Sequence, residues 1–268
     1  MDTVHLEKEM ETLLIPLQAR ARDARSRRPV LGDRYAAELA DRLEGVKAWH
    51  IPAKTRLMMC MRARILDQLT LEHLETNPGC LVIQTGCGLD SRRERLGKPV
   101  PWVDLDLPPV IRLRRQYLNE EDGYTMVGAP VQEAGWIRDL PEAPGVPLVL
   151  AEGLFMYLSP EDLATALGNL KERLGEFRLV ADVFSLLSVR RMEWHPLLNR
   201  TGARIRWGMD RAEELEGMLA GLRVDREIRF TDPESLEGLG LIWRTVFRLA
   251  GKIPAAADAH RILVCRAI

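Results

Sequence analysis

Seven short apolar segments alternate with helical patterns after residue 77, and this alternation limits the possible folds more than any other feature of the sequence. The segments read CLVIQ, VPWVDLDL, YTMVGA, VPLVLAEG, FRLVADVF, LRVDREIRF and RILVCRAI. Strands that alternate with helices build a mostly parallel sheet that is covered by helices on both faces. We therefore predict an α/β fold with a seven-stranded, mostly parallel sheet, whose last two strands lie at one edge.

Two helical additions to this sheet are predicted. From Leu6 to about Leu74 the apolar residues recur every three or four positions, so residues 1–76 are expected to form an N-terminal helical extension. The segment between the fifth and sixth predicted strands is too long for one crossover helix. It predicts a helical lid insertion over residues 185–210. Because no Gly-, Ser- or Pro-rich linker divides the chain, we expect a single domain over residues 1–268.

Charge and cysteine content argue against several classes of protein. The 38 basic residues nearly balance the 39 acidic ones, giving a net charge of -1, so no overall field favours nucleic acid or an anionic membrane. The four cysteines form no C-x-x-C pair, so neither a metal site nor a disulfide framework is expected. The acidic N-terminus and the lack of an apolar run of about 20 residues predict a cytoplasmic protein without a membrane partner. The oligomeric state stays open.

A glycine turn after the first predicted strand indicates a nucleotide-type loop. Gly86 and Gly88 are separated by one residue, and glycine lets a backbone turn tightly and a ligand approach closely. The second strand ends in DLDLP, where a carboxylate can accept hydrogen bonds from both hydroxyls of a ribose. Asp106 is preferred over Asp104 for this role because it is nearer the end of the strand. Together these features favour an adenosine-containing ligand over a purely structural turn.

A dinucleotide site is less well supported by the same loop. Its fingerprint requires a third glycine where a helix packs closely on the strand, and Ser91 occupies that position. An NAD-dependent oxidoreductase therefore remains only as an alternative hypothesis.

Three segments match the motifs of one family. The chain reads QTGCGLDSRRERL, VDLDLP and AEGLFMYL, and RARILD, from Arg62 to Asp67, extends the agreement upstream. These segments resemble the leucine carboxyl methyltransferases and their bacterial relatives, the tetracenomycin-type polyketide O-methyltransferases. The resemblance covers most of the chain to about residue 175. It implies a class I methyltransferase-like (Rossmann-like) fold and S-adenosylmethionine as the cofactor.

The resemblance also assigns roles to residues around this cofactor. Gly86 and Gly88 would line its methionine and ribose, and Asp106 would hold the ribose hydroxyls. Arg62 would pair with the cofactor carboxylate, and Glu152 would accept from its ammonium group. A planar guanidinium suits a carboxylate, and an acid that closes an apolar strand is costly unless it has a partner.

The adenine side departs from the family pattern. Family members usually have an acid after the third strand, but VGAPVQEAGW places Ala129 and Pro130 there. Proline has neither a side-chain acceptor nor a backbone donor. We expect Ala129 and Pro130 to lie beside the adenine, with either Gln132 or Glu133 accepting from its amino group, or with stacking and shape alone holding the ring.

The charges that follow the glycine turn are expected to be structural. Asp90 is predicted to cap the next helix. Arg92, Arg93 and Arg95 are predicted to tie the N-terminal helices to the sheet.

Methyl transfer from a sulfonium needs alignment and desolvation more than a fixed base. Tyr157 is a candidate for orienting the acceptor, with core packing as the alternative. His195, in the predicted lid, is a candidate base, with a structural role as the alternative. Four arginines of the lid suit an anionic acceptor or a solvated surface, namely Arg190, Arg191, Arg204 and Arg206.

The sequence as a whole predicts an S-adenosylmethionine-dependent O-methyltransferase that acts on a carboxylate or an acidic hydroxyl of a small molecule such as a polyketide. A cofactor-binding relative without catalytic activity, serving as a regulatory or partner subunit, is the main alternative because of Pro130.

Overall fold

The computed structural model describes residues 12–43, 51–192 and 204–268. Within them, one sheet contains seven strands: β1 (Val82–Thr85), β2 (Trp102–Asp106), β3 (Tyr124–Gly128), β4 (Leu148–Ala151), β5 (Phe177–Phe184), β6 (Leu222–Arg229) and β7 (His260–Ala267). Their order is β3-β2-β1-β4-β5-β7-β6. The first five strands are parallel, and β7 runs antiparallel to both β5 and β6. The predicted α/β sheet and its edge pair are confirmed.

The described helices are α1 (Leu14–Ala24), α2 (Arg34–Arg42), α3 (Ala53–Thr76), α4 (Arg92–Leu96), α5 (Pro108–Arg114), α6 (Pro160–Leu174), α7 (Leu186–Met192), α8 (Glu213–Glu216), α9 (Leu241–Ala250) and α10 (Pro254–Ala257). A 3₁₀ turn covers Phe155–Tyr157 and another covers Glu234–Leu236. Among these described helices, none is both long enough and apolar enough to cross a membrane.

Alternate residues of each strand point to opposite faces of the sheet, and both faces are buried. One face packs Ile83, Val103 and Val149 against the apolar side of α6. The other packs Val82, Leu148 and Val180 against α3 and α9. Burial on both sides explains why the strand segments are nearly continuous apolar runs.

The first two helices cover the carboxyl ends of the strands. Leu14 and Leu17 of α1 pack with Leu39 of α2 against Leu89, which follows the glycine turn. Leu13 lies so close to this turn that a Cβ placed on Gly88 would be 3.2 Å from its Cδ2 atom. The predicted helical extension therefore reaches the edge of the sheet where ligands of such folds bind.

The predicted helix cap at Asp90 is wrong. Ser91 is the residue before α4, and its hydroxyl donates to both carboxylate oxygens of Asp33 at 2.9 Å. The Asp90 carboxylate instead forms ion pairs with Arg92 at 3.3 Å and with Arg95 at 3.1 Å, and accepts from Gln84. The carboxylate is thus occupied by guanidinium groups and by the Gln84 amide, and Ser91, not Asp90, stands at the start of α4.

Two of the three arginines after the glycine turn join the N-terminal helices to the sheet, as predicted. Arg92 donates to Asp67 of α3 at 2.8 Å, and Arg95 donates to the same carboxylate at 2.6 and 2.9 Å. Arg95 also reaches Asp33, which precedes α2, at 2.8 Å.

Arg93 does not follow this prediction. Its guanidinium lies 4.3 Å from the centre of the Tyr124 ring and donates to Glu121 at 2.6 Å. It therefore links α4 to the start of β3, and within the described residues it has no hydrogen bond or ion pair with the N-terminal helices.

The shared carboxylate of Asp67 predicts a large effect on stability. In Asp67→Ala two buried guanidinium groups lose a partner, and breaking such buried pairs costs about 3 kcal/mol or more. Glu72→Ala is a matched control on the same helix, because Glu72 pairs with Arg226 at 3.2 Å on the surface and such pairs contribute about 1 kcal/mol or less. Chemical denaturation of both variants measures the difference. Equal losses would show that the buried cluster does not anchor α3.

Candidate active site

A cavity of about 520 Å³ lies beyond the carboxyl ends of β1, β4 and β5. Its walls come from α1, α3, the glycine turn, residues 152–157, α7 and the start of β7. Four methionines give it an apolar surface, namely Met58, Met59, Met156 and Met192. Arg62 and Glu152 place opposite charges on one side. The cavity therefore has room for an apolar body and fixed groups for a zwitterion.

The glycine turn is shaped for close approach. Gly86 and Gly88 have φ angles of 63° and 52°, in the left-handed region that glycine adopts without strain. A Cβ on Gly86 would lie 3.1 Å from Leu154. The sequence therefore needs glycine at both positions for steric as well as conformational reasons.

Arg62 lies at the centre of a buried charge network. Its Nε donates to Glu152 at 3.0 Å and its Nη1 donates to Asp182 at 3.0 Å. Burial alone would lower the pKa of Arg62, but Asp182 and Glu152 raise it above its usual range. Its Nη2 has no hydrogen-bond partner among the described residues, so a permanently charged donor remains for a ligand carboxylate.

Glu152 follows β4 directly and is shared by two arginines. One of its oxygens accepts from Arg62 and the other from Arg92. The two residues predicted to hold the ends of a methionine zwitterion therefore lie together. They also bind each other, which the sequence did not indicate.

Asp106 ends β2 beside the glycine turn. Its carboxylate accepts from the backbone N–H of Gly88 and of Leu107, both at 2.7 Å. Burial raises its pKa, while these backbone hydrogen bonds oppose the change. Each oxygen keeps a second lone pair, so the group can still accept from ribose hydroxyls.

The carboxylate of Asp104 already accepts hydrogen bonds from three side chains. It bonds to Arg114, to the Tyr124 hydroxyl at 2.6 Å and to Trp102 at 2.9 Å. The preference for Asp106 over its neighbour therefore agrees with the hydrogen-bond pattern.

Ala129 and Pro130 lie next to Asp106 at the end of β3. The Ala129 N–H donates to the Asp106 carbonyl at 2.9 Å, and the Pro130 carbonyl accepts from Glu133 at 3.1 Å. Both residues are half-buried, whereas Glu133 is exposed. Asp106, Ala129 and Pro130 are not in the cavity wall, so the three residues predicted to hold the adenosine lie outside the cavity.

Tyr157 lies in the cavity wall, in the 3₁₀ turn after β4. Burial raises the pKa of its phenol to about 12, so the group is a neutral hydrogen-bond donor at ordinary pH. His195, the other predicted catalytic residue, lies outside the described residues. Of the predicted lid arginines, Arg191 lines the cavity, whereas Arg204 and Arg206 are exposed and are not in its wall.

Sequence reasoning missed two residues of this cavity region. Asp182, near the end of β5, accepts from Arg62, from the Gly153 N–H and from His260. An acid inside the apolar segment FRLVADVF could have been noticed by the argument used for Glu152. His260 opens β7 and lines the cavity, but a single histidine near the C-terminus carries no comparable signal.

These residues fit S-adenosylmethionine. Arg62 and Glu152 match its carboxylate and ammonium groups, and Asp106 matches its ribose. The two glycines have no Cβ, so a ligand can approach the protein backbone closely at this turn. For the adenine amino group, neither Ala129 nor Pro130 offers a side-chain acceptor.

The sequence matches the leucine carboxyl methyltransferase family over residues 14–171. The chain is 35% identical to the tetracenomycin polyketide synthesis O-methyltransferase TcmP of Streptomyces glaucescens, over 98% of each chain. It is 33% identical to the S-adenosyl-L-methionine-dependent methyltransferase dpfgK of Gibberella zeae, over 80% of this chain and 79% of that protein.

Solved structures agree on the fold. A DUF574 family protein from Streptomyces avermitilis superposes with a TM-score of 0.55 at 13% identity, covering 93% of this chain and 97% of that one. The magnesium protoporphyrin IX methyltransferase of Synechocystis gives 0.51 at 12% identity, covering 82% and 89%. The family match and the 35% identity show that the chain belongs to the leucine carboxyl methyltransferase family and is an S-adenosylmethionine-dependent O-methyltransferase.

Proposed function

We propose that this enzyme methylates an oxygen atom of a small organic acceptor that carries a carboxylate or an acidic hydroxyl, such as a polyketide. The supporting observation is the cavity beside Arg62 and Glu152, which has apolar walls and one arginine, Arg191, on the side of α7. A pocket of this kind suits an apolar body with an anionic group. The relative from Streptomyces glaucescens is named for polyketide synthesis.

When bound, the cofactor supplies an activated methyl group. The contribution of the chain is to bind, orient and exclude water. Arg62 offers its free Nη2 to a carboxylate, and Glu152 offers the second lone pairs of its oxygens to an ammonium group. Asp106, fixed by two backbone N–H groups, accepts from the ribose, and Ala129 and Pro130 flank the adenine. Tyr157 donates its hydroxyl toward the acceptor.

The proposed lid over residues 185–210 begins with α7. This helix follows β5 at the carboxyl edge of the sheet, and Ser188, Arg191 and Met192 line the cavity. A segment at this place covers the acceptor and excludes water from it. Exclusion of water strengthens the attraction between Arg191 and an anionic group.

A direct test is transfer of a labelled methyl group to aromatic polyketide acids, to phenols and to a leucine-ended peptide. We expect labelled small molecules. Labelling of the peptide alone would contradict the proposed substrate class.

Asp106→Ala is expected to weaken binding of S-adenosylhomocysteine by about 1.5–3 kcal/mol, because charged hydrogen bonds to the ribose are lost. Asp122→Ala, at an exposed acid just before β3, is the control and should bind as the wild type does. Calorimetry measures both. An unchanged dissociation constant in folded Asp106→Ala would show that the ribose is held elsewhere.

Pro130→Asp is expected to tighten binding of the same ligand by about 0.5–1.5 kcal/mol, since the new carboxylate can accept from the adenine amino group. Calorimetry with S-adenosylhomocysteine and with its inosine analogue, which lacks that amino group, measures the gain. The gain should vanish with the analogue. Weaker binding of both ligands by a folded variant would place the adenine away from this loop.

Arg191→Ala is expected to raise KM for an anionic acceptor about fivefold, which corresponds to ~1 kcal/mol for an exposed charge pair. Arg190→Ala is a matched control, because the neighbouring Arg190 is exposed and is not in the cavity wall. Initial rates at varied acceptor concentration measure both. Equal KM values in the two variants would exclude Arg191 from acceptor binding.

A further inference from the structure

A short strap, residues 206–209, connects two walls of the cavity. The backbone N–H groups of Arg206 and Trp207 both donate to the Met156 carbonyl, at 2.7 and 3.3 Å. A carbonyl oxygen has two lone pairs, so it can accept both bonds. The Trp207 ring also packs against Phe155, with centroids 6.4 Å apart and planes 58° apart. One side of the strap is therefore fixed to the 3₁₀ turn that follows β4.

The other side of the strap is fixed to β5, α7 and β7. The Met209 N–H donates to the Phe184 carbonyl at 2.9 Å, and the Met209 carbonyl accepts from Arg261 at 2.6 Å. Asp210, the next residue, accepts at 3.0 Å from the N–H of Leu186, the first residue of α7. The strap thus joins the 3₁₀ turn to the start of α7.

Gly208 lies inside the strap, where there is no room for a side chain. A Cβ placed on it would be 2.5 Å from Val189 Cγ2 on α7 and 2.9 Å from the Phe184 carbonyl oxygen. Non-bonded carbon atoms prefer separations of about 3.5–4.0 Å, so a Cβ would displace its neighbours. Because the φ angle of Gly208 is not positive, lack of space explains this glycine.

The two elements that the strap joins both face the cavity. Met156 and Tyr157 of the 3₁₀ turn lie in its wall, as do Arg191 and Met192 of α7. Val189, beside Gly208, is buried and is not in the wall. The helix α7 therefore presents one side to the cavity and another to the strap.

Given the acceptor binding proposed above, we propose that Gly208 determines the size of the acceptor that the cavity takes, because it lets the strap hold α7 close to the 3₁₀ turn. Gly208 is not in the cavity wall, so it is a positioning residue that acts through Val189. The three atoms nearest to a Cβ at this position all belong to β5, α7 and the residue between them. A side chain would therefore push that segment away from the strap.

The strap cannot follow this displacement freely, because the Met156 carbonyl holds it to the 3₁₀ turn. A side chain at residue 208 should therefore increase the separation between the turn and α7. Dispersion contacts weaken steeply with small gaps, so the fit of an apolar acceptor depends on this separation. A wider cavity loses contacts with a small acceptor and keeps them with a larger one.

Gly208→Ala tests the proposal with benzoic acid and the three-ring anthracene-9-carboxylic acid as methyl acceptors. The ratio of kcat/KM for the larger acid to kcat/KM for benzoic acid should rise about tenfold, the lower end of the effect of one methylene in an apolar pocket. A general loss of structure would lower both values equally. Calorimetry should show unchanged binding of S-adenosylhomocysteine, because among the described residues the strap has no hydrogen bond or ion pair with Arg62, Glu152 or Asp106.

Two further variants serve as rescue and control. Adding Val189→Ala to Gly208→Ala removes the Cγ2 atom that the new Cβ would meet, so the double variant should recover most of the wild-type ratio, with Val189→Ala alone as its reference. Gly217→Ala is the matched glycine control. The nearest atom to a Cβ there is 3.6 Å away, an ordinary contact, so the ratio should stay unchanged.

The bond from Asp210 to α7 gives a second test if Gly208→Ala does not fold. Asp210→Ala, at an exposed position, removes the acceptor of the Leu186 N–H and should shift the ratio in the same direction. Asp210→Asn keeps an oxygen that can accept from this N–H, and it should retain the wild-type ratio.

An unchanged ratio in folded Gly208→Ala, or the same shift in Gly217→Ala, would overturn the role of Gly208. Loss of S-adenosylhomocysteine binding in folded Gly208→Ala would also overturn it, because the effect would then lie at the cofactor. A wild-type protein that binds no S-adenosylhomocysteine and transfers no methyl group would instead refute the proposed function itself.

Discussion

The buried pair between Arg62 and Glu152 is the contact on which the site and much of the scaffold depend. Isolated charges inside a protein are costly, and they persist only when partners satisfy them. Here each charge has more than one partner. A continuous chain of ion pairs runs from β5 to the residue before α2 through Asp182, Arg62, Glu152, Arg92, Asp67, Arg95 and Asp33. A hydrogen bond between Asp182 and His260 extends it to β7. Removing a link leaves its neighbours buried with one partner fewer.

This network explains why the glycine turn is followed by so much charge. The glycines leave an open space at the end of β1, and the helix that follows them must still be held against α3. Arg92 holds α4 against α3 through its bond to Asp67, and it also fixes Glu152 beside the cavity. The groups that would orient a zwitterionic ligand are thus fixed before it arrives, which lowers the cost of ordering them on binding.

The sequence predicted the parts of this molecule that have a short-range pattern. Strand number, the edge pair and the glycine turn follow from periodicity and from glycine itself, and the position of Asp106 follows from strand direction. The insertion of β7 between β5 and β6 did not follow, because pairing between distant segments leaves no local pattern. The prediction that Asp90 caps a helix was wrong for a related reason. A helix cap is predicted from neighbouring residues alone, whereas the partners of Asp90 include Arg20, 3.5 Å away on α1.

Asp182 and His260 show the same limit at the site. They are 78 residues apart and meet only because β7 returns antiparallel beside β5. Parallel strands alone would bring only carboxyl ends to the cavity; the antiparallel strand instead brings its first residue. A histidine at that first position reaches the cavity beyond the carboxyl ends of the parallel strands, and its ring forms a hydrogen bond with Asp182, which also pairs with Arg62. The reversed strand at the edge of the sheet thus places a buried histidine beside the carboxylate that also pairs with Arg62.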